Sequence, residues 1–360
     1  MDEVAEFIET GIRSAYGNAV DWLPYETAEG GYQGTTWNTW EVIRREVSRP
    51  RDDEGELLDA LGSKIEENLW CDIDPFGVND FQFAKFSWEK FCQIVEQERR
   101  FFFIDYGNQE EFRETLSPKE MLDALVEYSK EIKLFKYLDK GTRIYRARYQ
   151  KLGEKLSTAK ELGPPPFEKA RQTNRMSPPG IVMFYGSDKP ETALRETAND
   201  PATFVVGEFQ TQRQAVILDL TQLPAIPTIF EDPDYKAYGP EARKKLIFIN
   251  HLADSISRPI ERDEKVHISY VPTQVVTEYI REYVKWNSLP IDGIRYSSAV
   301  HPGHASYVLF AKQENLVIQD EDKANNKFTF PAKDPWIMLL GSRIYKVSKR
   351  MVEKWKMEFS

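Results

Sequence analysis

Hydrophobic residues follow a helical spacing through the first third of the chain. Val4, Ile8 and Ile12 recur every four residues and therefore line one side of a predicted helix. The segment Ser117-Pro118-Lys119-Glu120 is a typical helix start, because it combines a serine cap, a proline in the first turn and a glutamate in the capping-box position. A loop region rich in Gly, Thr, Trp and Pro interrupts the pattern. The predicted helices cover 2–15, 54–70, 80–102 and a segment that begins at Pro118, and the loop region covers 21–53.

The pattern changes near residue 140 to short apolar segments that alternate with helices. Alternating residues from Thr142 to Arg148 predict a strand, and a proline-rich loop is predicted over 161–180. The further predicted strands cover 181–185, 202–209, 214–220, 293–297 and 306–311, and the further predicted helices begin at Pro190 and cover 240–257, 273–286 and 347–357. The predicted fold class is therefore α+β, a mixed β core with helices, preceded by a mainly helical N-terminal domain.

The change in pattern also predicts where the domains divide. We expect a helical N-terminal domain over 1–139, an α+β domain over 140–320, and a C-terminal extension over 321–360 that ends in a helix. No internal repeat or low-complexity segment suggests another arrangement.

Composition narrows the functional classes. The 360 residues carry a formal net charge of −10, and nucleic-acid binding needs a basic face, so we expect no direct binding to DNA or RNA. Only two cysteines, Cys71 and Cys92, are present, which is typical of a cytosolic protein and excludes a zinc site made of four cysteines. The acidic N-terminus does not resemble a signal peptide, and no apolar run reaches the roughly 18 residues that span a bilayer. We therefore expect a cytoplasmic protein with no membrane partner.

Standard catalytic motifs are missing from the sequence. It contains no phosphate-binding loop, no H-E-x-x-H and no G-x-S-x-G. A metal pair at His301 and His304 is one interpretation of H-P-G-H, but no acidic or cysteine residue lies near it in sequence, so loop histidines are the preferred interpretation and no metal site is expected.

Polar residues on otherwise apolar segments are the better candidates. Arg146, with Arg143 and Arg148 as close alternatives, lies on a strand of core character, where a buried cation needs an anionic partner. That partner is either a neighbouring carboxylate or an anionic ligand. Tyr185 ends an apolar strand, and Glu196 lies on the helix that follows it.

These residues occur in an ordered series of segments. The series consists of Y-R-A-R, then N-R-M-S-P-P-G-I-V-M-F-Y-G-S-D-K-P-E-T-A-L-R-E-T, then I-D-G-I-R-Y-S-S-A-V-H-P-G-H-A-S-Y-V-L-F, over about residues 141–315. It resembles the RES family of bacterial toxins, which have a fold like the diphtheria-toxin class of ADP-ribosyltransferases and use NAD. The chain departs from the family pattern at Met176-Ser177, at Ser306, and at Ser297, which stands where a proline commonly precedes the family's serine.

The resemblance implies the site residues and their roles. Glu196, Tyr185 and Arg146 are the catalytic candidates, with Glu196 stabilising the cationic ribose in an oxocarbenium-like transition state. NAD-binding candidates are Arg146 and Arg175 for the diphosphate, Tyr185 for stacking on nicotinamide, and Ser298 for the carboxamide or ribose. Ser297 remains an alternative to Ser298 as the family's serine. NAD enters as the substrate, and no metal is required.

The implied function is NAD depletion by cleavage of the nicotinamide–ribose bond, as a glycohydrolase or a phosphorylase. The alternatives are an ADP-ribosyltransferase that modifies a cellular protein, and an inactive RES-like interaction module. The resemblance also implies a cognate antitoxin, often with a helix-turn-helix part. Residues 1–139 resemble, more loosely, the helical domain linked to HEPN proteins, but no histidine precedes His251, so HEPN nuclease chemistry is not expected. Homo-oligomerisation stays open.

Overall fold

The computed structural model describes residues 2–46, 64–103, 114–230, 241–258, 265–318 and 334–358. Its α-helices vary from single turns to four turns. They are α1 Asp2–Ala15, α2 Ala19–Trp22, α3 Thr39–Glu46, α4 Asp80–Gln93, α5 Pro118–Glu131, α6 Ala159–Leu162, α7 Pro190–Thr197, α8 Ala242–Ser257, α9 Val266–Ser269, α10 Val271–Tyr283 and α11 Lys349–Met357. Among the described residues, none of these helices is both long enough and apolar enough to cross a membrane.

The strands are mostly short, with two long exceptions near the end of the chain and in its middle. They are β1 Tyr16–Asn18, β2 Tyr25–Glu26, β3 Gly31–Tyr32, β4 Trp37–Asn38, β5 Leu69–Asp72, β6 Phe135–Leu138, β7 Arg143–Tyr149, β8 Phe184–Ser187, β9 Ala202–Thr211, β10 Ala215–Asp219, β11 Lys285–Trp286, β12 Leu289–Pro290, β13 Gly293–Ser297, β14 Ala305–Leu309, β15 Leu316–Val317 and β16 Ile337–Val347. The class is α+β, as the pattern predicts, with a mainly helical N-terminal region.

The chain divides into two compact units, each built from more than one stretch. The first comprises residues 1–90, 107–117 and 224–251, and the second comprises 91–106, 118–223 and 252–360. The predicted division at residues 139 and 320 stays a prediction.

A small antiparallel sheet lies in the first unit, in the order β1-β5-β4. Trp70 of β5 is buried, and its indole nitrogen donates to the Thr39 hydroxyl at 3.0 Å. The prediction that a helix continues to residue 70 is therefore wrong at its end. Trp70 and Cys71 are buried, and they lie on β5, which pairs with β1 on one side and with β4 on the other. Residues 54–63 of that predicted helix lie outside the described residues. Cys71 and Cys92 are both free thiols.

A mixed sheet of nine strands forms the centre of the second unit, in the order β15-β16-β9-β7-β8-β14-β13-β10-β6. Strands β10 and β14 are buried at every position, as expected for strands covered on both faces. One face carries Phe184 and Phe209, whose rings meet edge to face at 5.0 Å in the main core. This sheet supplies the rigid frame for the polar residues described below.

The longest strand, β16, was not predicted. It pairs antiparallel with the whole of β9 and parallel with β15, so long-range pairing decides its structure. A bulge between Leu339 and Gly341 breaks its periodicity. The terminal helix was predicted over 347–357 and is α11. The segment assigned to an extension thus completes one side of the central sheet.

Helix α11 packs on α7 through a second core, which contains Ala193, Leu194, Val352 and Trp355. The Arg195 guanidinium adds ion pairs to Glu191 at 2.6 Å and to Glu358 at 2.5 Å. Helix α7 is therefore held from its outer side by the C-terminal helix.

We expect Trp355→Ala to lower the free energy of unfolding by about 3–5 kcal/mol, because the indole is buried between α11 and α7. Urea unfolding followed by far-UV circular dichroism measures the change. Met357→Ala on the same helix is the control, since the Met357 side chain is exposed and its removal should cost less than about 0.5 kcal/mol. Equal losses in the two variants would contradict the packing described.

Candidate functional site

Helix α7 presents one carboxylate toward the central sheet. Pro190 occupies the first turn, where its missing N–H costs no helical hydrogen bond, and Ala193 and Leu194 bury one side of the helix. Glu196 accepts hydrogen bonds at the same oxygen, Oε1, from Ser298 Oγ at 2.7 Å and from Ser306 Oγ at 2.9 Å. Two buried hydroxyl donors therefore fix the orientation of this carboxylate.

The two serines come from a β-hairpin, β13 and β14. Ser298 directly follows β13 and is buried, and its backbone N–H donates to the His304 carbonyl at 2.9 Å across the loop. Ser297 is exposed and lies on the other side of the chain. The structure thus brings Ser298 to Glu196. Ser306, on β14, completes the pair although it departs from the family pattern.

Tyr296 lies directly opposite Ser306 in the register of the hairpin. Burial, together with the negative charge of Glu196, raises the pKa of this tyrosine. The positive charge of Arg175 and the Tyr185 hydroxyl act on the same group. Tyr296 therefore lies near the predicted site residues, beside the Ser306 that donates to Glu196.

Tyr185 is the last residue of the apolar segment 181–185 and lies on β8. Its hydroxyl and the Ser177 Oγ are 2.8 Å apart, within hydrogen-bond distance. Burial raises the pKa of Tyr185 to about 12, so the phenol stays neutral in the physiological range. The ring is fixed by the turn around Ser177, as a stacking surface for a flat ligand requires.

Arg146 lies on β7, next to β8. Its Nη1 donates to the Tyr185 carbonyl at 2.5 Å, and its guanidinium carbon lies 5.6 Å from the centre of the Phe184 ring. Burial, followed by repulsion from Arg148, holds the pKa of Arg146 well below its usual value. Its Nε is buried and has no hydrogen-bond partner among the described residues. Within the described ranges, the side chain is therefore a crowded cation without a compensating carboxylate.

Arg175 occupies a loop that rests on the ends of two helices. Its Nη1 donates to the carbonyls of Ile256 at 2.5 Å and Arg258 at 2.7 Å, at the C-terminal end of α8, where a cation is favourable. Gln274 of α10 holds the loop by donating to Thr173 Oγ1 at 3.0 Å and to the Asn174 carbonyl at 2.8 Å. Part of Arg175 is thus committed to the fold.

The two loop histidines contact each other, with ring centres 4.1 Å apart. His301 Nδ1 is 2.8 Å from Thr192 Oγ1, and His304 Nδ1 is 3.4 Å from Asp188 Oδ2. Burial, with smaller effects from Arg195 and His304, lowers the pKa of His301. No group of three or more His, Cys, Asp and Glu in the described ranges has the geometry of a metal site. The pair joins the hairpin loop to the first turns of α7.

Direct contacts join the predicted residues in two pairs, because Glu196 accepts from Ser298 and Arg146 donates to the Tyr185 carbonyl. The charges of Glu196 and Arg175 and the Tyr185 hydroxyl all act on the buried Tyr296 hydroxyl. Their catalytic and binding roles stay predictions. Ser306 and Tyr296 were not predicted as site residues. Both could have been identified only from the register of the β13–β14 hairpin, which is known once the paired strands are seen.

Comparison with known families identifies both parts of the chain. The family model described as HEPN/RES N-terminal domain 1 matches residues 1–109, and the model described as RES domain matches residues 143–331, which is more than half of the chain. Searches of curated proteins and of solved structures return no match. The RES match includes Arg146, Arg175, Tyr185, Glu196 and Ser298 within its limits. The chain belongs to the RES domain family of toxins and carries the N-terminal domain that is named for its association with RES domains.

Proposed function

We propose that this protein consumes NAD by breaking the bond between nicotinamide and the C1′ carbon of its ribose. The observation that carries the proposal is the Glu196 carboxylate, whose Oε1 is held by the Ser298 and Ser306 hydroxyls. RES membership supports NAD-related chemistry in general.

A fixed carboxylate suits this reaction, because the bond breaks through an oxocarbenium-like transition state. The electron pair of the C–N bond moves to the pyridinium nitrogen, which leaves as neutral nicotinamide and needs no strong general acid. The positive charge passes to the ribose, where Glu196 stabilises it. Two hydroxyl donors on Oε1 orient the carboxylate before the substrate arrives, so little reorganisation is needed during the reaction.

The remaining residues suit the two ends of NAD. Tyr185 offers a neutral, fixed ring face to the nicotinamide, and the cationic Arg146 and Arg175 suit the diphosphate. The acceptor at C1′ is water, which gives ADP-ribose and a proton, or phosphate, which gives ADP-ribose 1″-phosphate. By family resemblance, an antitoxin restrains the activity.

Incubation of the purified protein with NAD, with and without inorganic phosphate, tests the proposal. We expect stoichiometric release of nicotinamide, and mass spectrometry of the second product identifies the acceptor. Unchanged NAD under both conditions would overturn the proposal.

A second assay separates depletion from transfer. NAD labelled in the adenylate part is incubated with the protein and cell lysate. Small labelled products alone support depletion, whereas label on a macromolecule would replace depletion with ADP-ribose transfer.

A further inference from the structure

We propose that Arg148, together with Arg146, forms a subsite for the diphosphate of a dinucleotide and makes the site selective for diphosphates over monophosphates. This inference rests on the proposed function for the identity of the substrate. The family resemblance gives no separate role to Arg148, which the sequence offers only as an alternative to Arg146, and its surroundings give the reason for assigning it this role.

The two arginines lie on the same face of β7. Residues two apart on a strand point to the same side, so Ile144, Arg146 and Arg148 share one face while Tyr145 and Ala147 share the other. The packing agrees with this assignment of faces, because Ile144 packs with Leu162 and Phe184 in the main core, whereas Ala147 belongs to the second core. Same-face positions are about 7 Å apart, a distance that two long side chains can close onto adjacent phosphoryl groups.

Neither arginine has a carboxylate partner within the described ranges. Arg148 Nη2 donates to the Gly163 carbonyl at 2.5 Å, and Arg146 Nη1 donates to the Tyr185 carbonyl at 2.5 Å. The Nε atoms of both are buried and unpaired among the described residues. Burial lowers the pKa of Arg148, as it does for Arg146, and yet both side chains keep some solvent-accessible surface. Crowded side chains that solvent still reaches are expected at the bottom of a cleft.

Six other arginines in the described part of the chain form ion pairs with carboxylates, and the Arg195 side chain does so although it is only 7% exposed. The six are Arg143, Arg195, Arg213, Arg243, Arg281 and Arg295.

Two uncompensated cations side by side are costly in an apolar setting, because desolvation and mutual repulsion add. A ligand that carries two adjacent negative groups removes both costs, and each guanidinium forms forked bonds to phosphate oxygens. A diphosphate fits this requirement, whereas a single phosphate leaves one arginine uncompensated. Arg175 is the weaker candidate for the second cation, since its Nη1 is committed to two carbonyls.

Calorimetric titration of the purified full chain with ADP, AMP and inorganic diphosphate tests the subsite. We expect the parent protein to bind ADP more tightly than AMP. We expect Arg148→Ala to weaken ADP binding by about tenfold or more and to remove most of the preference over AMP. Arg148→Lys should recover part of the affinity, because it keeps the charge but loses the fork. Binding of inorganic diphosphate with the same dependence on Arg148 would place recognition in the diphosphate itself.

Arg143→Ala is the matched control. Arg143 lies on the opposite face of the same strand, and its exposed side chain pairs with Glu208 at 3.0 Å. It should bind ADP as the parent does, and circular dichroism spectra should agree for all variants. Equal ADP affinity in the parent and Arg148→Ala, no binding of ADP by the parent, or equal loss of ADP and AMP in Arg148→Ala would overturn the subsite.

The experiments can contradict the subsite and the proposed function independently of each other. If the parent binds ADP through Arg148 but releases no nicotinamide, the subsite stands and NAD cleavage is wrong. If the parent cleaves NAD, Arg148→Ala should raise KM for NAD by about tenfold and leave KM for nicotinamide mononucleotide, which has no diphosphate, nearly unchanged. An unchanged KM for NAD would overturn the subsite alone.

Discussion

Glu196→Gln is expected to slow nicotinamide release from NAD at least about a thousandfold, while the protein keeps its fold. The amide has nearly the shape of the carboxylate, and its oxygen can still accept from Ser298 and Ser306. The negative charge that stabilises the cationic ribose is lost, and losing even one preorganised group in such a site typically costs about 10²–10³ in rate. Nicotinamide release measured by chromatography at saturating NAD gives the rate.

Glu191→Gln is the matched control for this variant. Glu191 lies on the same helix, and its half-exposed side chain pairs with Arg195 at 2.6 Å. The same chemical change there should leave the rate within a few-fold of the parent. NAD consumption by Glu196→Gln at the parent rate, with an unchanged circular dichroism spectrum, would rule out the catalytic assignment.

The second large effect is expected from Arg146→Ala, which should weaken NAD binding by about 10- to 100-fold. Hydrogen bonds to charged groups contribute about 1.5–3 kcal/mol, and each 1.4 kcal/mol corresponds to about a factor of ten in affinity. Calorimetry with NAD in the Glu196→Gln background measures binding without turnover. Arg143→Ala in the same background is the control.

The stability of Arg146→Ala carries separate information. A buried cation that serves the fold should cost several kcal/mol when it is removed. Because Arg146 has only a carbonyl partner and an unpaired Nε within the described residues, we expect a smaller loss than for Trp355→Ala. Unaltered NAD affinity together with a large loss of stability would identify Arg146 as a structural residue.

The sequence pattern predicted the elements that are stabilised by residues close to one another in the chain. The helix that starts at Pro118 and the helix over 2–15 both occur, because capping residues and a helical apolar stripe act over a few positions. Strand β16 was missed, since its eleven residues owe their conformation to pairing with β9, far away in the sequence. For the same reason Leu69 and Trp70, which the local pattern assigned to the end of a helix, belong to strand β5.

The residues of the candidate site also fall into those that a continuous segment predicts and those that depend on strand pairing. Glu196 and Tyr185 stand in one continuous segment, so the resemblance to RES toxins could mark them. Ser306 and Tyr296 contribute through the register of β13 with β14, which composition and spacing do not specify. Arg148 was named only as an alternative to Arg146, because the sequence does not show which arginines have carboxylate partners.

The position of β16 and α11 also determines when the protein acquires its site during synthesis. Helix α7, which carries Glu196, is supported by Trp355 and by the ion pair between Arg195 and Glu358. A nascent chain that has not yet released residues 337–358 from the ribosome lacks a strand of the central sheet and the support of α7. Since domains fold as units during synthesis, we expect chains that lack residues 337–358, or that still hold them inside the ribosome, to be inactive toward NAD. Under the proposed function, NAD loss in a cell that makes this protein would therefore begin only after residues 337–358 have been synthesised and folded.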